Sequence, residues 1–268
     1  MADLTTSPAQ PLVLIERDGR VATVTLNRPG ALNSFNEPMY DAATDALREL
    51  ADDTTVAVAI ITGSGRAFSS GADLIELAGR NVGNFVAGRH GFPGYLNALI
   101  EFPKPLICAV NGLAVGIGAT MLAFADLVVM SSTARLRYPF TSLGVVPEAA
   151  SSFMLPRLVG HQKAAWMLMS SEWISAAEAH EFGVAFKVCE PDDLMNATRA
   201  LAAPLASKPI SSLIGAKATL VASLRGEIDA AGKREGQWFG QLLGKPANNE
   251  ALRAFAERRP PDFASIND

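Results

Sequence analysis

Short runs with no polar face, set between helical patterns, restrict this chain's fold more than any other feature. Residues 56–62 (VAVAIIT) and Leu106–Val110 (LICAV) are such runs, and they read as strands buried on both sides. Ahead of the first, Asn36 is placed as an N-cap with Pro38 in the first turn. Met39, Ala42, Ala43, Ala46, Leu47 and Leu50 then recur at the spacing of an amphipathic helix. After the second, residues 118–124 read as a small-residue helix and 127–130 as another strand. Strand, helix and strand in repetition predict parallel crossover units, hence an α/β fold. The chain opens with a predicted hairpin, residues 12–16 and Val21–Leu26 around Arg17-Asp18-Gly19-Arg20.

Beyond Glu148 the pattern turns mostly helical. Ser175 and Glu178 form an S-x-x-E capping box, Gly183 ends that helix, and a short strand is expected at 184–188. From Pro191 the periodicity is helical throughout, over 197–205, 211–223, 228–242 and 249–256, with loops at Lys208-Pro209 and Gly244-Lys245-Pro246. This divides the chain into a core of residues 1–190 and a helical C-terminal subdomain of residues 191–268.

Composition removes several function classes. Hydrophobic residues make up 49% of the chain and charged residues 19%, enough apolar surface to offset the entropy of ordering. Lys plus Arg number 23 against 27 Asp plus Glu, a net charge of −4, so the basic excess of a nucleic-acid binder is missing. The apolar region 106–130 is interrupted by Asn111, Thr120, Asp126 and three glycines, and reads as core rather than a membrane span. Cys108 and Cys189, both among apolar neighbours, are read as core filler in a reducing compartment. The start MADLTTSPAQPL lacks a basic n-region, and ASIND carries no targeting tail, so a cytoplasmic location is expected.

Several chemistries fail on spacing. His90, His161 and His180 do not share metal-ligand spacing, so no metal site is expected. Ser64 in Gly63-Ser64-Gly65 is not a G-x-S-x-G elbow. Gly116-Ile117-Gly118-Ala119-Thr120-Met121 places Met121 where a dinucleotide fingerprint needs its third glycine, and the residues before it read as loop. Gly232-Lys233 and Gly244-Lys245 lack the Ser or Thr of a phosphate loop. Trp166 and Trp173, with Met167 and Met169, read as core or acyl-pocket lining rather than a cofactor box.

What remains is a pair of glycine-bearing loops, residues 66–74 (RAFSSGADL) and 111–119 (NGLAVGIGA), each after a predicted strand and before a predicted helix. Helix N-termini present unpaired N–H groups and a positive dipole end, so two together suit a developing oxyanion. Close packing by small residues is the alternative for either loop alone. The segments LNRPGALNSF, GRAFSSGADL, AVNGLAVGIGATM and ISAAEAHEFGVAFKV resemble, in order and spacing, the crotonase (enoyl-CoA hydratase/isomerase) superfamily, over nearly the whole chain. The resemblance implies a spiral of ββα units, a C-terminal helical oligomerisation subdomain, a homotrimer or hexamer, and an acyl-CoA substrate. Coenzyme A would enter as part of that substrate, with no permanently bound cofactor. It further implies that Ala72 N–H and Ile117 N–H stabilise a thioester enolate.

Hydratases of this family use two glutamates, and those positions align with Thr120 and Phe140, neither of which exchanges a proton usefully. A carboxylate stands eight residues on, in Pro139-Phe140-Thr141-Ser142-Leu143-Gly144-Val145-Val146-Pro147-Glu148, which resembles the PF-x-x-LG-x-x-PE pattern of peroxisomal-type Δ3-Δ2-enoyl-CoA isomerases. Moving a double bond needs one group to take a proton from C2 and return it to C4, so Glu148 is the candidate base. Its apolar neighbours Leu143, Val145, Val146, Ala149 and Ala150 are expected to raise its pKa. The alternative is an N-terminal helix acid favoured by the dipole.

For coenzyme A the resemblance implies contacts from Arg28, Ala67, Ser69 and Ser70, and from Phe255 and Arg258 in RAFAERRP, offered to a neighbouring subunit. It places part of the acyl pocket in residues 79–93. Asp73 and Asp126 are read as structural, the first beside a helix dipole and the second between helix and strand. The expected activity is 3-enoyl-CoA to 2-trans-enoyl-CoA isomerisation. The alternatives are hydration or another crotonase-family reaction, and a non-catalytic acyl-CoA-binding scaffold.

Overall fold

The computed structural model describes residues 10–81 and 85–266. Most of the N-terminal segment read for a targeting signal, residues 82–84 of the 79–93 stretch and the last two residues of the ASIND tail lie outside the described residues. Two sheets organise the chain. The larger holds six strands: β1 (Val13–Asp18), β2 (Val21–Leu26), β3 (Val58–Gly63), β5 (Leu106–Val110), β7 (Leu127–Ser131) and β10 (Lys187–Cys189), side by side in that order. The smaller holds β4 (Ala67–Ser69), β6 (Leu113–Val115), β8 (Arg135–Arg137) and β9 (Ile174–Ser175). Only β1 with β2 and β8 with β9 run antiparallel.

The connectivity is a three-fold repeat. Each of β3, β5 and β7 leaves the large sheet, turns a corner of a few residues, and continues as β4, β6 or β8 in the small sheet; helices return the chain after β4 and β6, and after β8 it adds β9 to the small sheet before reaching β10. These are the turns of a ββα spiral, as the resemblance implies. The apolar runs are explained by burial on both faces. In β3, Ala59 and Ile61 join the main core while Val58 and Ile60 face a second cluster; in β5, Leu106, Cys108 and Val110 divide from Ile107 and Ala109 in the same way. Helix α1 (Glu37–Asp52) supplies Met39, Leu47 and Leu50 to the main core. Helix α8 (Leu194–Ala206) covers the other face with Leu194 and Ala202. Each of the Val, Ile, Leu and Met side chains among these contributes roughly 2 kcal/mol of burial.

Local signals place the helix ends. Asn36 Oδ1 accepts from Met39 N–H at 3.1 Å. Ser175 and Glu178 make both bonds of the capping box, at 3.2 and 2.8 Å, opening α7 (Ala176–Phe182). Lys217 donates to Asp126 at 2.8 Å, and Asp126 accepts from Leu106 N–H at 2.7 Å, a structural role for that acid.

Four expectations need correction. Residues before Gly116 are strand β6, not loop, because pairing with β4 and β8 satisfies their backbone; rejection of the dinucleotide fingerprint then rests on Met121. The 118–124 helix is a single α-turn, α4 (Ile117–Thr120), running into a 3-10 turn at Met121–Phe124. The strand expected at 184–188 begins only at Lys187, since Val184 and Ala185 both donate to Ala179 O and close the end of α7. Met167 is core, but Trp166 and Met169 are 57% and 68% exposed, so they line neither core nor pocket of this chain.

Candidate active site

Strands β4 and β6 lie parallel, Ala67 opposite Leu113 and Ser69 opposite Ala114, so the chain leaves both at the same end of the small sheet. The two turns that follow touch backbone to backbone. Gly71 has φ +89°, and a Cβ on it would stand 2.6 Å from Val115 O; one on Gly118 would stand 2.6 Å from Ser69 O. Only glycine permits that approach. The residue after Gly71 is Ala72, and the residue after Gly116 is Ile117, the first of α4.

Both N–H groups are left over by their surroundings. Phe35 N–H donates to Gly71 O at 2.8 Å and Asp73 N–H to Phe35 O at 2.9 Å, which fixes the peptides around Ala72 without using its own N–H. Gly116 N–H donates to Arg137 O, while Gly116 O receives Ala119 and Thr120, and Ile117 N–H remains an orphan of the helix start. Among the described residues neither N–H has an acceptor. Two fixed, unpaired donors at one strand end are what an oxyanion requires.

The carboxylate comes from the loop after β8, the strand next to β6 in the small sheet. After β8 the chain makes a 3-10 turn at Thr141–Leu143, then Gly144 in the left-handed region, and reaches Glu148. Ala149 and Ala150 follow with φ +57° and +51°, and only then does α5 (Ser151–Val159) begin. Glu148 is half-buried, beside the buried Val145, Ala149 and Ala150. No hydrogen-bond donor reaches its carboxyl among the described residues. Desolvation first, and the negative charge of Glu235 second, push that carboxyl up to about 8. An acid held by a helix dipole would move the opposite way, so the surroundings of Glu148 suit proton exchange near neutral pH. Thr120 and Phe140 are buried, and among the described residues the Thr120 hydroxyl has no hydrogen-bond partner.

The residues implied for coenzyme A divide into two groups. Arg28 sits beside the first turn, its guanidinium bonded to Asp73 at 2.7 Å and Ser34 Oγ at 2.8 Å. Asp73 in turn accepts from Ile75 and Glu76 N–H; burial raises its carboxyl, but Arg28 and these N–H groups outweigh it and hold it below the ordinary range. Ala67 is buried with its carbonyl accepting from Asn33 and Asn111 amides. Ser69 Oγ donates to Asn33 O and accepts from Gly71 N–H, bracing the turn, while Ser70 is half-buried with its N–H on Leu32 O. Phe255 and Arg258 form the second group, exposed at the end of α11 (Pro246–Glu257). That helix meets the Glu148 loop at its start, where Asn248 Nδ2 donates to Leu143 O at 2.8 Å.

Sequence reasoning missed Glu235, on α10 (Arg225–Leu242). It shares the buried stripe of Ile228 and Ala231, so a carboxylate at a core position of an amphipathic helix was the available signal.

With this geometry in place, comparison with known proteins is informative. The sequence pattern of the family described as enoyl-CoA hydratase/isomerase matches residues 16–266. A 1,2-epoxyphenylacetyl-CoA isomerase of Escherichia coli (strain K12) is 32% identical over 248 residues, 91% of this chain and 94% of that protein. A 2,3-dehydroadipyl-CoA hydratase of the same organism is 34% identical over 251 residues, 94% of this chain and 98% of that protein. A crystal structure of an enoyl-CoA hydratase from Mycobacterium marinum superposes with a TM-score of 0.76 at 58% identity, covering 79% of this chain and 99% of that one.

Proposed function

Because the chain belongs to the enoyl-CoA hydratase/isomerase family, we propose that it moves the double bond of a 3-enoyl-CoA to the 2-trans position, with Glu148 as the single proton carrier. The observation that carries this reading is one carboxyl, raised to about 8, with no second acid at Thr120 or Phe140. The Glu148 carboxylate takes a proton from C2, and the electron pair moves into the thioester carbonyl. Ala72 N–H and Ile117 N–H hold the resulting oxyanion, each worth roughly 3 kcal/mol in a preorganised site. Collapse of the enolate forms C2=C3 as C4 receives the proton from the Glu148 carboxyl, which returns to its starting form. Arg28, Ala67, Ser69 and Ser70 would receive the coenzyme on this chain, and Phe255 and Arg258 that of a neighbouring copy.

Only the ionised carboxyl can start the reaction, so kcat/KM rises with pH through about 8. A homotrimer or hexamer is the assembly we assign, supported by exposed Trp166, Met169 and Trp238; light scattering after gel filtration tests it.

Hydration is the second reading, favoured by relatives such as the 2,3-dehydroadipyl-CoA hydratase. It needs a group to deliver water besides Glu148. The deciding experiment assays purified protein on trans-3-hexenoyl-CoA for conjugation and on crotonyl-CoA for hydration, with Glu148→Gln alongside. Conjugation that disappears in Glu148→Gln is expected. Hydration without conjugation, or a variant as active as the parent, overturns the isomerase reading.

A further inference from the structure

Glu235 is 7% exposed, and no ion pair reaches it among the described residues. Its bonds go instead to backbone 85 and 83 residues away in the chain: Oε2 accepts from Ala150 N–H at 2.7 Å, and Oε1 from Ser152 N–H at 2.8 Å. These groups open α5, whose N-cap is Ala150 and has no side chain able to cap it. A helix cap alone is most simply supplied by Ser, Asp or Asn at the cap position. Here the cap comes from another helix, and it comes as a carboxylate beside a second carboxylate, Glu148, which is unfavourable for the fold.

The backbone between the two acids shows what this arrangement accomplishes. Ala149 and Ala150 both stand in the left-handed region, which alanine adopts only where its surroundings impose it. The turn is fastened at its near end by Ser151, whose N–H donates to Glu148 O at 3.0 Å, and at its far end by Glu235. We propose that Glu235 is a positioning residue for the base: by accepting both N–H groups it imposes the left-handed turn, and that turn fixes where the Glu148 carboxylate stands relative to the donors on Ala72 and Ile117. The inference rests on the reading of Glu148 as the proton carrier. The charged groups acting on the pair are the two carboxylates themselves and Arg234 beside Glu235 on α10. The charge of Glu235 also strengthens the hold of Glu148 on its proton.

The test compares wild type, Glu148→Gln, Glu235→Gln and Glu235→Asp by steady-state kinetics on trans-3-hexenoyl-CoA from about pH 6 to 10, with thermal melts of each. Glu235→Gln loses the charge and one of its two acceptor oxygens. It should fold, keep its KM, lose about 100-fold in kcat as expected of a displaced proton carrier, and show its rate-pH midpoint acid of the wild type. Glu235→Asp keeps the charge one methylene short, and should recover part of kcat with the midpoint held. A lowered melting temperature with kcat and midpoint unmoved would mean a merely structural cap and overturns the proposal. If Glu235→Gln does not fold, Glu235→Asp decides: reduced kcat at constant KM supports positioning, and wild-type kcat overturns it. An inactive Glu148→Gln beside a fully active Glu235→Gln removes the positioning role alone. A fully active Glu148→Gln, or a wild type silent on the ester, removes the isomerase reading and this inference with it.

Discussion

At Gly71 and Gly116 the backbone enters the left-handed half of conformational space with glycines, at φ +89° and +53°; at Ala149 and Ala150 it does so with alanines, at +57° and +51°. The first pair is built locally. Glycine needs no help there, and the parallel pairing of β4 with β6 brings the two turns together. The second pair holds a conformation its own residues disfavour, and its support is a carboxylate from another helix. One half of the candidate site therefore rests on glycine turns joined by strand pairing, the other on a contact between α5 and α10. The two halves should fail differently under mutation.

The largest effect should come from breaking the glycine side. Gly71→Ala forces a Cβ to within 2.6 Å of Val115 O at a φ few alanines adopt, and should lower stability by about 2–4 kcal/mol and isomerisation by at least 100-fold. Chemical denaturation and kinetics on the refolded variant measure both; a fully active Gly71→Ala would mean the turns need not touch. Second, Glu148→Gln should separate activity from stability. The folded carboxyl binds its proton up to about 8 while the unfolded chain releases it near 4.5, so between those values stability falls as pH rises. The variant escapes this loss and should be more stable than wild type at pH 8, on the order of 2 kcal/mol because water still reaches a half-buried group. The gain should vanish below pH 4.5, as urea titrations across pH will show.

On the alanine side the effect should reverse sign. Ala150→Gly removes a left-handed strain of about 1 kcal/mol, so it should melt no lower than wild type while losing kcat as the turn loosens. A variant both less stable and equally active would erase the contrast between the two turns. The smallest effect belongs to Thr120→Val, which deletes an orphaned buried hydroxyl at nearly constant volume. It should leave activity intact and stabilise by up to about 1 kcal/mol; a loss of activity would show that the hydroxyl meets substrate.

How legible these features were in the sequence follows from their range. Strands β3 and β5, the cap at Asn36 and the Ser175–Glu178 box were readable because each signal lies within a few residues of its effect. The two glycine loops around Gly71 and Gly116 stood out for the same reason, while the choice of Ala72 and Ile117 within them came from the family resemblance. The small sheet was not readable, since strands of two or three residues such as β6 and β9 are too short to show a period of two. Glu148 was singled out through the resemblance, and its raised pKa was anticipated from its apolar neighbours, but Glu235 makes its bonds across 85 and 83 residues. A helical pattern says only that a buried position exists, not what it meets.

The two unpaired N–H groups stand where β4 and β6 end in the small sheet, Ile117 buried and Ala72 half-buried, on turns whose backbones meet along one seam. Heating cannot part them without opening that seam, so thermal inactivation should follow the same curve as loss of the fold. An enzyme whose donors ride on a mobile loop inactivates below its melting temperature, because the loop opens first. In this chain the proposed oxyanion donors should be among the last parts of the candidate site to be lost.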